Sequence, residues 1–220
     1  KGIIRGCQIS MCELVGGETA EMPGTYEKGK FDIAGFAVGI VEEKKILNKN
    51  KIRNKDLILA IPSSGLHSNG FSLVREILKK KKINLKKKNF LKKELIKPTK
   101  IYVNEILKLI DKNLINGCAN ITGGGIAENI IRVLPENLCA NIELNKVKPL
   151  EIFHWLKKNN IQDQEMLKTF NCGVGFCIII NPKNLKKILN FFSKEFKPYI
   201  IGQIIKGSKK VKINGKIKWK

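Results

Sequence analysis

Glycines and small polar side chains concentrate in four segments of the sequence, each at the end of a predicted strand. The four segments are residues 16–24, 63–70, 121–129 and 169–175. Glycine allows a backbone to approach a phosphate closely, while hydroxyl, amide and carboxylate groups can bind a polar ligand or a hard cation. Loops at strand ends are also where ligands bind in proteins that alternate strands and helices. Together the four segments indicate a site for a phosphate-bearing ligand.

The first segment combines two glycines with two carboxylates. Gly16 and Gly17 could cradle a phosphate, and Glu18 and Glu21 carry the oxygen ligands that Mg²⁺ prefers. The alternative is a tight turn whose acidic side chains are only hydrated. The spacing alone favours the turn.

The second segment joins a predicted strand to a predicted helix. Helix N-termini present free N–H groups to anions, but Ser68 and Asn69 could equally cap the helix without a ligand. His67 lies in a polar loop that offers it no apolar surroundings. It is therefore a candidate general acid or base, or a hydrogen-bonding partner of a substrate, with an exposed histidine of no function as the alternative.

The third and fourth segments differ in what they offer. Three consecutive glycines, Gly123 to Gly125, exceed what a turn needs and suggest close approach of a phosphate, although no lysine follows them as in a P-loop. Cys172 lies in the fourth segment. No histidine is near it in sequence, so we interpret it as a packing residue rather than a nucleophile.

The elements that must position these loops alternate between strand and helix patterns, which predicts an α/β sandwich built on a mixed sheet flanked by helices. The charged stretch 42–56 is the predicted domain boundary, and residues 79–93 are predicted to form an exposed connection. Strands are predicted near residues 31–41, 57–61, 118–121, 138–144, 174–180 and 199–205. Helices are predicted near residues 1–12, 71–80, 98–112, 126–134, 150–159, 163–169 and 182–194.

The composition restricts the class of protein. The formal net charge is +23, but the basic residues are 38 Lys and only 4 Arg, whereas specific nucleic-acid sites rely heavily on arginine. No apolar run approaches the roughly 20 residues that span a bilayer. The six cysteines form no CxxC pair, which disfavours a zinc cluster and fits buried thiols in a reducing cytoplasm. We therefore expect no specific nucleic-acid partner and no membrane partner.

Five segments of the chain follow one another in a specific order. They read GGETAEMPG at 16–24, FDIAGFAVG at 31–39, SSGLHSNG at 63–70, TGGGIAENI at 122–130 and TFNCGVG at 169–175. In order and wording they closely resemble the phosphoribosylformylglycinamidine cyclo-ligase family, also called aminoimidazole ribonucleotide synthetases. The resemblance runs from residue 1 to about residue 207.

The resemblance implies a homodimer whose subunits have two α/β domains, the first of which binds ATP. Residues 1–43 would then be the end of the ATP-binding and dimerisation domain, and residues 44–220 the C-terminal domain, with the active site in the cleft between them. The family's upstream Gly-x-Gly-Thr-Lys region is absent from this sequence. The chain is therefore expected to begin inside a longer protein and to be inactive by itself.

The family converts formylglycinamidine ribonucleotide and ATP into aminoimidazole ribonucleotide, ADP and phosphate during purine biosynthesis, with Mg²⁺. By resemblance, the nucleotide side comprises Gly16, Gly17, Glu18, Thr19 and Glu21, of which Glu18 and Glu21 are the candidate metal ligands. The substrate side comprises Ser63, Ser64, Gly65, Thr122, Gly123, Gly124, Gly125 and Asn171. His67 and Asn69 are the candidate catalytic residues, and proton transfer by His67 is a hypothesis based on its polar loop.

Two alternatives stay open at this point. Thiamine-monophosphate kinase and selenophosphate synthetase share the two-domain plan and the use of ATP, although the wording at 16–24 and 63–70 fits the cyclo-ligases better. A non-catalytic, basic nucleic-acid-binding domain would predict arginine stripes or aromatic stacking platforms. Aromatic residues make up 7% of the chain and are scattered, which disfavours such a domain.

Overall fold

The computed structural model describes residues 1–219, which form two compact units that divide between Ile46 and Leu47. The first unit contains one α-helix, α1 (Gly2–Ser10). The strands of the second unit are β1 (Leu57–Pro62), β2 (Gly117–Asn120), β3 (Leu138–Glu143), β4 (Val174–Ile180), β5 (Tyr199–Lys206) and β6 (Lys210–Asn214). Its helices are α2 (Phe71–Lys80), α3 (Asn89–Leu95), α4 (Val103–Asp111), α5 (Gly125–Ile130), α6 (Glu151–Lys157), α7 (Asp163–Thr169) and α8 (Leu185–Phe191).

The six strands form one mixed sheet in the order β2-β4-β1-β5-β3-β6. Every neighbouring pair is antiparallel except β3 and β6, which run parallel. The central strand β1 is buried on both faces, as its continuous apolar run predicts. The α/β class with a mixed sheet is therefore confirmed.

Alternating side chains of β1 feed two separate hydrophobic cores. Ile58 and Ala60 pack on one face with residues of α2, α3, α5, α6 and α7. Leu59 and Ile61 pack on the other face with residues of α4 and α8. Since side chains alternate along a strand, this apolar strand holds both helical layers against the sheet.

The segment 31–41, predicted to be a buried strand, has no regular secondary structure, and the prediction was wrong for this structure. Phe36 is 95% exposed and Ile40 is fully exposed. A strand needs a neighbour that satisfies its backbone N–H and C=O groups. No described residue pairs with this segment, so its apolar pattern by itself does not produce a strand.

Three smaller differences concern α3, β6 and the start of α4. The predicted exposed connection 79–93 contains the start of α3, whose Leu91 is only 4% exposed. Strand β6 was not predicted, because it is short and mostly polar: Lys210, Lys212 and Asn214 alternate with only two apolar residues, Val211 and Ile213. The helix predicted to open at Pro98 begins at Val103, which leaves a non-helical segment before it. No helix among residues 1–219 is long and apolar enough to cross a membrane.

Candidate functional site

Three of the four polar loops meet at one edge of the sheet. Pro62 at the end of β1 is paired with Val174 at the start of β4, and Asn120 at the end of β2 is paired with Phe176 of the same strand. Because β4 runs antiparallel to both β1 and β2, the loops that follow β1 and β2 lie beside the loop that precedes β4. The segments 63–70, 122–125 and 169–173 are thus neighbours in space.

The loop after β1 is hydrogen-bonded directly to the loop before β4. The N–H of Ser63 donates to the carbonyl of Gly173 at 2.9 Å. The side-chain amide of Asn171 donates to the carbonyl of Gly65 at 2.9 Å, and its Oδ1 accepts the N–H of Gly173 at 2.8 Å. Asn171 is 1% exposed. Its side-chain amide is therefore used in hydrogen bonds that hold the two loops together.

The glycine loop after β2 packs against the C-terminal end of α7. The N–H of Gly124 donates to the carbonyl of Lys168 at 3.0 Å, and Gly124 and Gly125 have positive φ angles of 89° and 61°. A Cβ atom on Gly125 would overlap the carbonyl oxygen of Leu167. Packing thus explains the second and third glycines. Gly123 is exposed, and a Cβ atom there would meet only Asn69 Oδ1, at 3.5 Å.

The buried Asn129 of α5 is hydrogen-bonded to the same glycine loop. It was not identified from the sequence as a site residue. Its Nδ2 donates to the carbonyls of Gly123 at 3.2 Å and Gly125 at 2.8 Å. The hydroxyl of Thr122 lies 3.2 Å from Asn129 Oδ1. A buried asparagine one helical turn beyond a glycine loop is a signal that could have identified it.

His67 lies in surroundings unlike those predicted for it. The side chain is 5% exposed, although a polar loop without apolar neighbours was expected. Its Nε2 accepts the N–H of Ser64 at 3.0 Å and the N–H of Lys100 at 3.3 Å. Burial, and next the positive charge of Lys100, lower the pKa of His67 from 6.5 to about 4. The imidazole is therefore neutral at pH 7.

A segment that sequence reasoning missed, residues 98–102, lies against the loop after β1. Ser64 Oγ donates to the carbonyl of Pro98 at 2.7 Å, and the hydroxyl of Tyr102 donates to the carbonyl of Pro62 at 2.9 Å. The ammonium group of Lys100 donates to the carbonyl of Glu195 at 3.0 Å. Burial lowers the pKa of Lys100. Nothing in the sequence distinguishes this lysine from the other 37.

One hydroxyl at this edge has no protein partner. Ser63 is 4% exposed, and its Oγ makes no hydrogen bond with any described residue. A buried hydroxyl without a partner is unfavourable, by about 1–3 kcal/mol, unless a ligand or water satisfies it. Asn69, by contrast, is half-buried, and its Nδ2 donates to the carbonyl of His67 at 2.7 Å. Ser63 and Asn69 thus bring polar groups to the loop cluster.

The first polar segment belongs to the other unit. Residues 16–22 have no regular secondary structure, and Gly16, Gly17, Glu18, Thr19 and Glu21 are all exposed. Among residues 1–219, no group of three or more His, Cys, Asp or Glu side chains could hold a metal ion. Mg²⁺ commonly binds through one or two carboxylates together with substrate phosphates, so Glu18 and Glu21 fit only that kind of site.

The structure agrees with a packing role for Cys172. Its side chain is 1% exposed, and its Sγ donates to the carbonyl of Met166 at 3.4 Å. Burial raises the pKa of the thiol to about 12, and nearby Asp163 adds to the shift. A thiol in this state is not a nucleophile at neutral pH.

Comparisons with known proteins agree with the fold. A family model described as "AIR synthase related protein, C-terminal domain" matches residues 54–214. Thiamine-monophosphate kinase from Stenotrophomonas maltophilia superimposes with a TM-score of 0.55 and 14% identity, covering 81% of this chain and 56% of that one. A neighbour described as "AaThiL complexed with AMPPCP and TMP" has a TM-score of 0.50 and 13% identity, covering 77% and 51%. At these identities the likeness shows the fold alone.

Curated relatives are much closer in sequence. A protein of Vigna unguiculata named phosphoribosylformylglycinamidine cyclo-ligase, chloroplastic/mitochondrial, is 45% identical over 94% of this chain and 55% of its own length. The phosphoribosylformylglycinamidine cyclo-ligase of Thermodesulfovibrio yellowstonii is 43% identical over 94% of this chain and 63% of its own length. The chain thus spans somewhat more than half the length of these relatives. It belongs to the family of AIR synthase related proteins and contains that family's C-terminal domain.

Proposed function

We propose that this chain supplies the substrate-binding part of an ATP-dependent cyclo-ligase of purine biosynthesis. The reaction converts formylglycinamidine ribonucleotide and ATP into aminoimidazole ribonucleotide, ADP and phosphate. The observation that carries the proposal is the meeting of three polar loops at one sheet edge, in a chain whose curated relatives bear the name of that enzyme.

The chemistry needs a site that holds two phosphate-bearing molecules. An amide oxygen is a poor leaving group, so transfer of the γ-phosphoryl group of ATP to that oxygen makes its departure as phosphate feasible. The amidine nitrogen then attacks the same carbon, the ring closes, and a proton is lost from nitrogen. The protein has to position the reacting groups and stabilise the charge that moves between them.

On the substrate side, the described groups suit a polar ligand. The buried hydroxyl of Ser63 would gain its missing partner on binding, and Asn69 would add an amide beside it. Gly123 is open, so a phosphate could approach its backbone. In this proposal the loops that hold those groups are shaped by six further residues: Ser64, Gly65, Thr122, Gly124, Gly125 and Asn171.

On the nucleotide side, we assign Gly16, Gly17, Glu18, Thr19 and Glu21 to ATP and, through the two glutamates, to Mg²⁺. The ion would neutralise phosphate charge when bound. A neighbour of the same fold is described as complexed with AMPPCP, an analogue of ATP, which supports ATP as a ligand. Residues 1–43 are proposed to belong to the ATP-binding and dimerisation domain of a homodimer. The exposed apolar residues 31–41 support that proposal, since they offer a surface for further strands.

A reducing compartment such as the cytoplasm is also part of the proposal. All six cysteines are free, including three that are buried. Disulfides form and persist in oxidising compartments, so a chain with six unlinked thiols suits a reducing one.

The test is a turnover assay on the full-length gene product. With formylglycinamidine ribonucleotide and ATP, we expect one ADP released for each diazotisable aromatic amine formed. Ser63→Ala should raise KM for the ribonucleotide, while Ser208→Ala, in an exposed turn, should leave it unchanged. Phosphorylation of thiamine monophosphate without formation of an amine would overturn the proposal in favour of the kinase alternative.

A further inference from the structure

The imidazole of His67 joins two parts of the chain that are far apart in sequence. Its Nε2 accepts one backbone N–H from Ser64, within the same loop, and another from Lys100, 33 residues later. The residue has a positive φ of 53° and is buried. A buried ring nitrogen with two N–H donors already holds the contacts that its lone pair can make.

Further contacts close the same junction. Ser64 Oγ lies 3.0 Å from His67 Nε2 and donates to the carbonyl of Pro98 at 2.7 Å. Ser68 Oγ lies 3.5 Å from Thr99 Oγ1. Residues 98–100 are therefore hydrogen-bonded to the loop on both sides of His67, at Ser64 and at Ser68.

The backbone of His67 also holds a group of the proposed substrate site. Asn69 Nδ2 donates to the carbonyl of His67 at 2.7 Å, so a shift of His67 moves the amide of Asn69. Ser63 begins the same loop at the end of β1. The backbone of His67 thus positions the amide of Asn69 in this loop.

The protonation state follows from these bonds. Nε2 can accept N–H groups only when it carries no proton, so the neutral ring has its hydrogen on Nδ1. Burial and the nearby charge of Lys100 keep the ring neutral at pH 7 by lowering its pKa to about 4. Tyr102, whose ring centre is 6.1 Å away, is uncharged at pH 7, and burial raises its pKa further above the usual value.

We infer that His67 is a positioning residue, whose Nε2 acceptor fastens residues 98–100 to the loop that carries Ser63 and Asn69, rather than the residue that moves a proton in the reaction. This inference rests on the proposed function for its kinetic consequence. It replaces the acid–base hypothesis, which depended on a polar loop without apolar surroundings, whereas the structure buries His67.

A direct test uses the 220-residue chain without any substrate. The sequence has two histidines, His67 and His154, so ¹⁵N-labelled imidazole signals can be assigned with a His154→Asn variant. We expect His67 to show an unprotonated Nε2, a protonated Nδ1 and no titration between pH 5.5 and 8. A protonated Nε2, or a titration midpoint between pH 6 and 7, would overturn the inference.

The kinetic test uses the full-length enzyme and a matched pair of variants. The amide oxygen of glutamine can reach the position of Nε2, whereas that of asparagine is too short. We expect His67→Gln to keep kcat within a few-fold of the parent with the same pH profile. His67→Asn and His67→Ala should lose about tenfold or more in kcat/KM, chiefly through KM.

Loss of one limb of the pH profile in His67→Gln, with kcat as low as in His67→Ala, would instead establish proton transfer and contradict the inference. If the parent enzyme has no cyclo-ligase activity, the proposed function fails, and the imidazole spectra still decide the role of His67. If the asparagine variant does not fold, those spectra and the glutamine variant remain decisive.

Discussion

Asn171 and Gly65 lie 106 positions apart in sequence and share a hydrogen bond of 2.9 Å, from the side-chain amide of Asn171 to the carbonyl of Gly65. The bond joins the loop before β4 to the loop after β1. Both residues are buried, so water cannot replace either partner without a change in structure. This single contact brings together two motifs that the sequence presents as separate.

Asn171→Asp should destabilise the fold. The substitution keeps the acceptor for the N–H of Gly173 but replaces the donor with a carboxylate oxygen that faces the carbonyl of Gly65. We expect the free energy of unfolding to fall by about 2–3 kcal/mol, because a buried acceptor is left unpaired beside a charge. Urea denaturation measures this, with Asn54→Asp at an exposed turn as the control. Equal stability of the two variants would contradict the role of Asn171.

Two alanine substitutions separate packing from ligand approach in the glycine loop. Gly125→Ala should cost about 2 kcal/mol or more, since a Cβ atom there overlaps the carbonyl of Leu167 at a positive φ. Gly123→Ala should change stability by less than about 0.5 kcal/mol. In the full-length enzyme it should nevertheless raise KM for the ribonucleotide about tenfold, which corresponds to about 1.4 kcal/mol of binding. Unchanged KM in Gly123→Ala would show that no ligand approaches this backbone.

The sequence predicts the strands well where an apolar run is buried on both sides. β1 and β4 are such runs, and each lies where its pattern places it. Residues 31–41 have a similar composition but no paired neighbour among the described residues, so the same signal was misleading there. Strand formation depends on backbone partners that a local pattern does not contain.

The arrangement of the candidate site could be predicted only in part. Glycines and small polar residues identified the loops, but their meeting depends on the register between β1, β2 and β4, which local sequence does not encode. Lys100 and Tyr102 belong to no recognisable motif. They reach the site only because α4 begins five residues after Pro98. His67 was identified from its neighbours in sequence, whereas burial by distant segments decides its chemistry.

The exposed and the buried thiols should differ in reactivity. Cys12 is exposed, while Cys139, Cys172 and Cys177 are buried. With a pKa of about 12, only about one Cys172 thiol in ten thousand is ionised at pH 8, and its access to solvent is also blocked. A disulfide reagent should therefore label Cys12 rapidly in the native chain and the three buried cysteines only after unfolding, as peptide mass spectrometry would show. Rapid native labelling of Cys172 would contradict the packing interpretation.

Removal of residues 1–46 should leave the second unit folded. The sheet and both cores lie within residues 47–219, and the first unit exposes Phe31, Phe36 and Ile40 at 78%, 95% and 101%. We expect a cooperative thermal transition within a few degrees of that of the full chain, and less self-association in light scattering, because an exposed apolar segment promotes aggregation. A Phe36→Ser, Ile40→Ser variant of the full chain is the matched control and should also associate less. Loss of the transition in the truncated protein would show that the units depend on each other.

His67 predicts a specific dependence of stability on pH. Its pKa is about 4 in the folded chain and near 6.5 in the unfolded chain, so the unfolded state takes up a proton first as the pH falls. The stabilisation linked to the neutral ring is complete above about pH 6.5 and is lost between pH 6.5 and 4. It amounts to at most about 3.4 kcal/mol, from a difference of about 2.5 pKa units.

Contacts with lysine side chains lower the pKa values of carboxylates such as Glu136 and Asp163. These carboxylates also lose stabilisation in acid, so the measurement has to isolate the contribution of the histidine. Urea midpoints of the parent and of His67→Gln should be compared at half-unit steps from pH 7.5 to 4. Because glutamine does not titrate, the parent should lose more stability than the variant over this range, and the difference should be concentrated between pH 6.5 and 4. Parallel curves for the two proteins would mean that His67 has nearly the same pKa in the folded and unfolded states. That result would contradict a buried imidazole whose Nε2 accepts two backbone N–H groups.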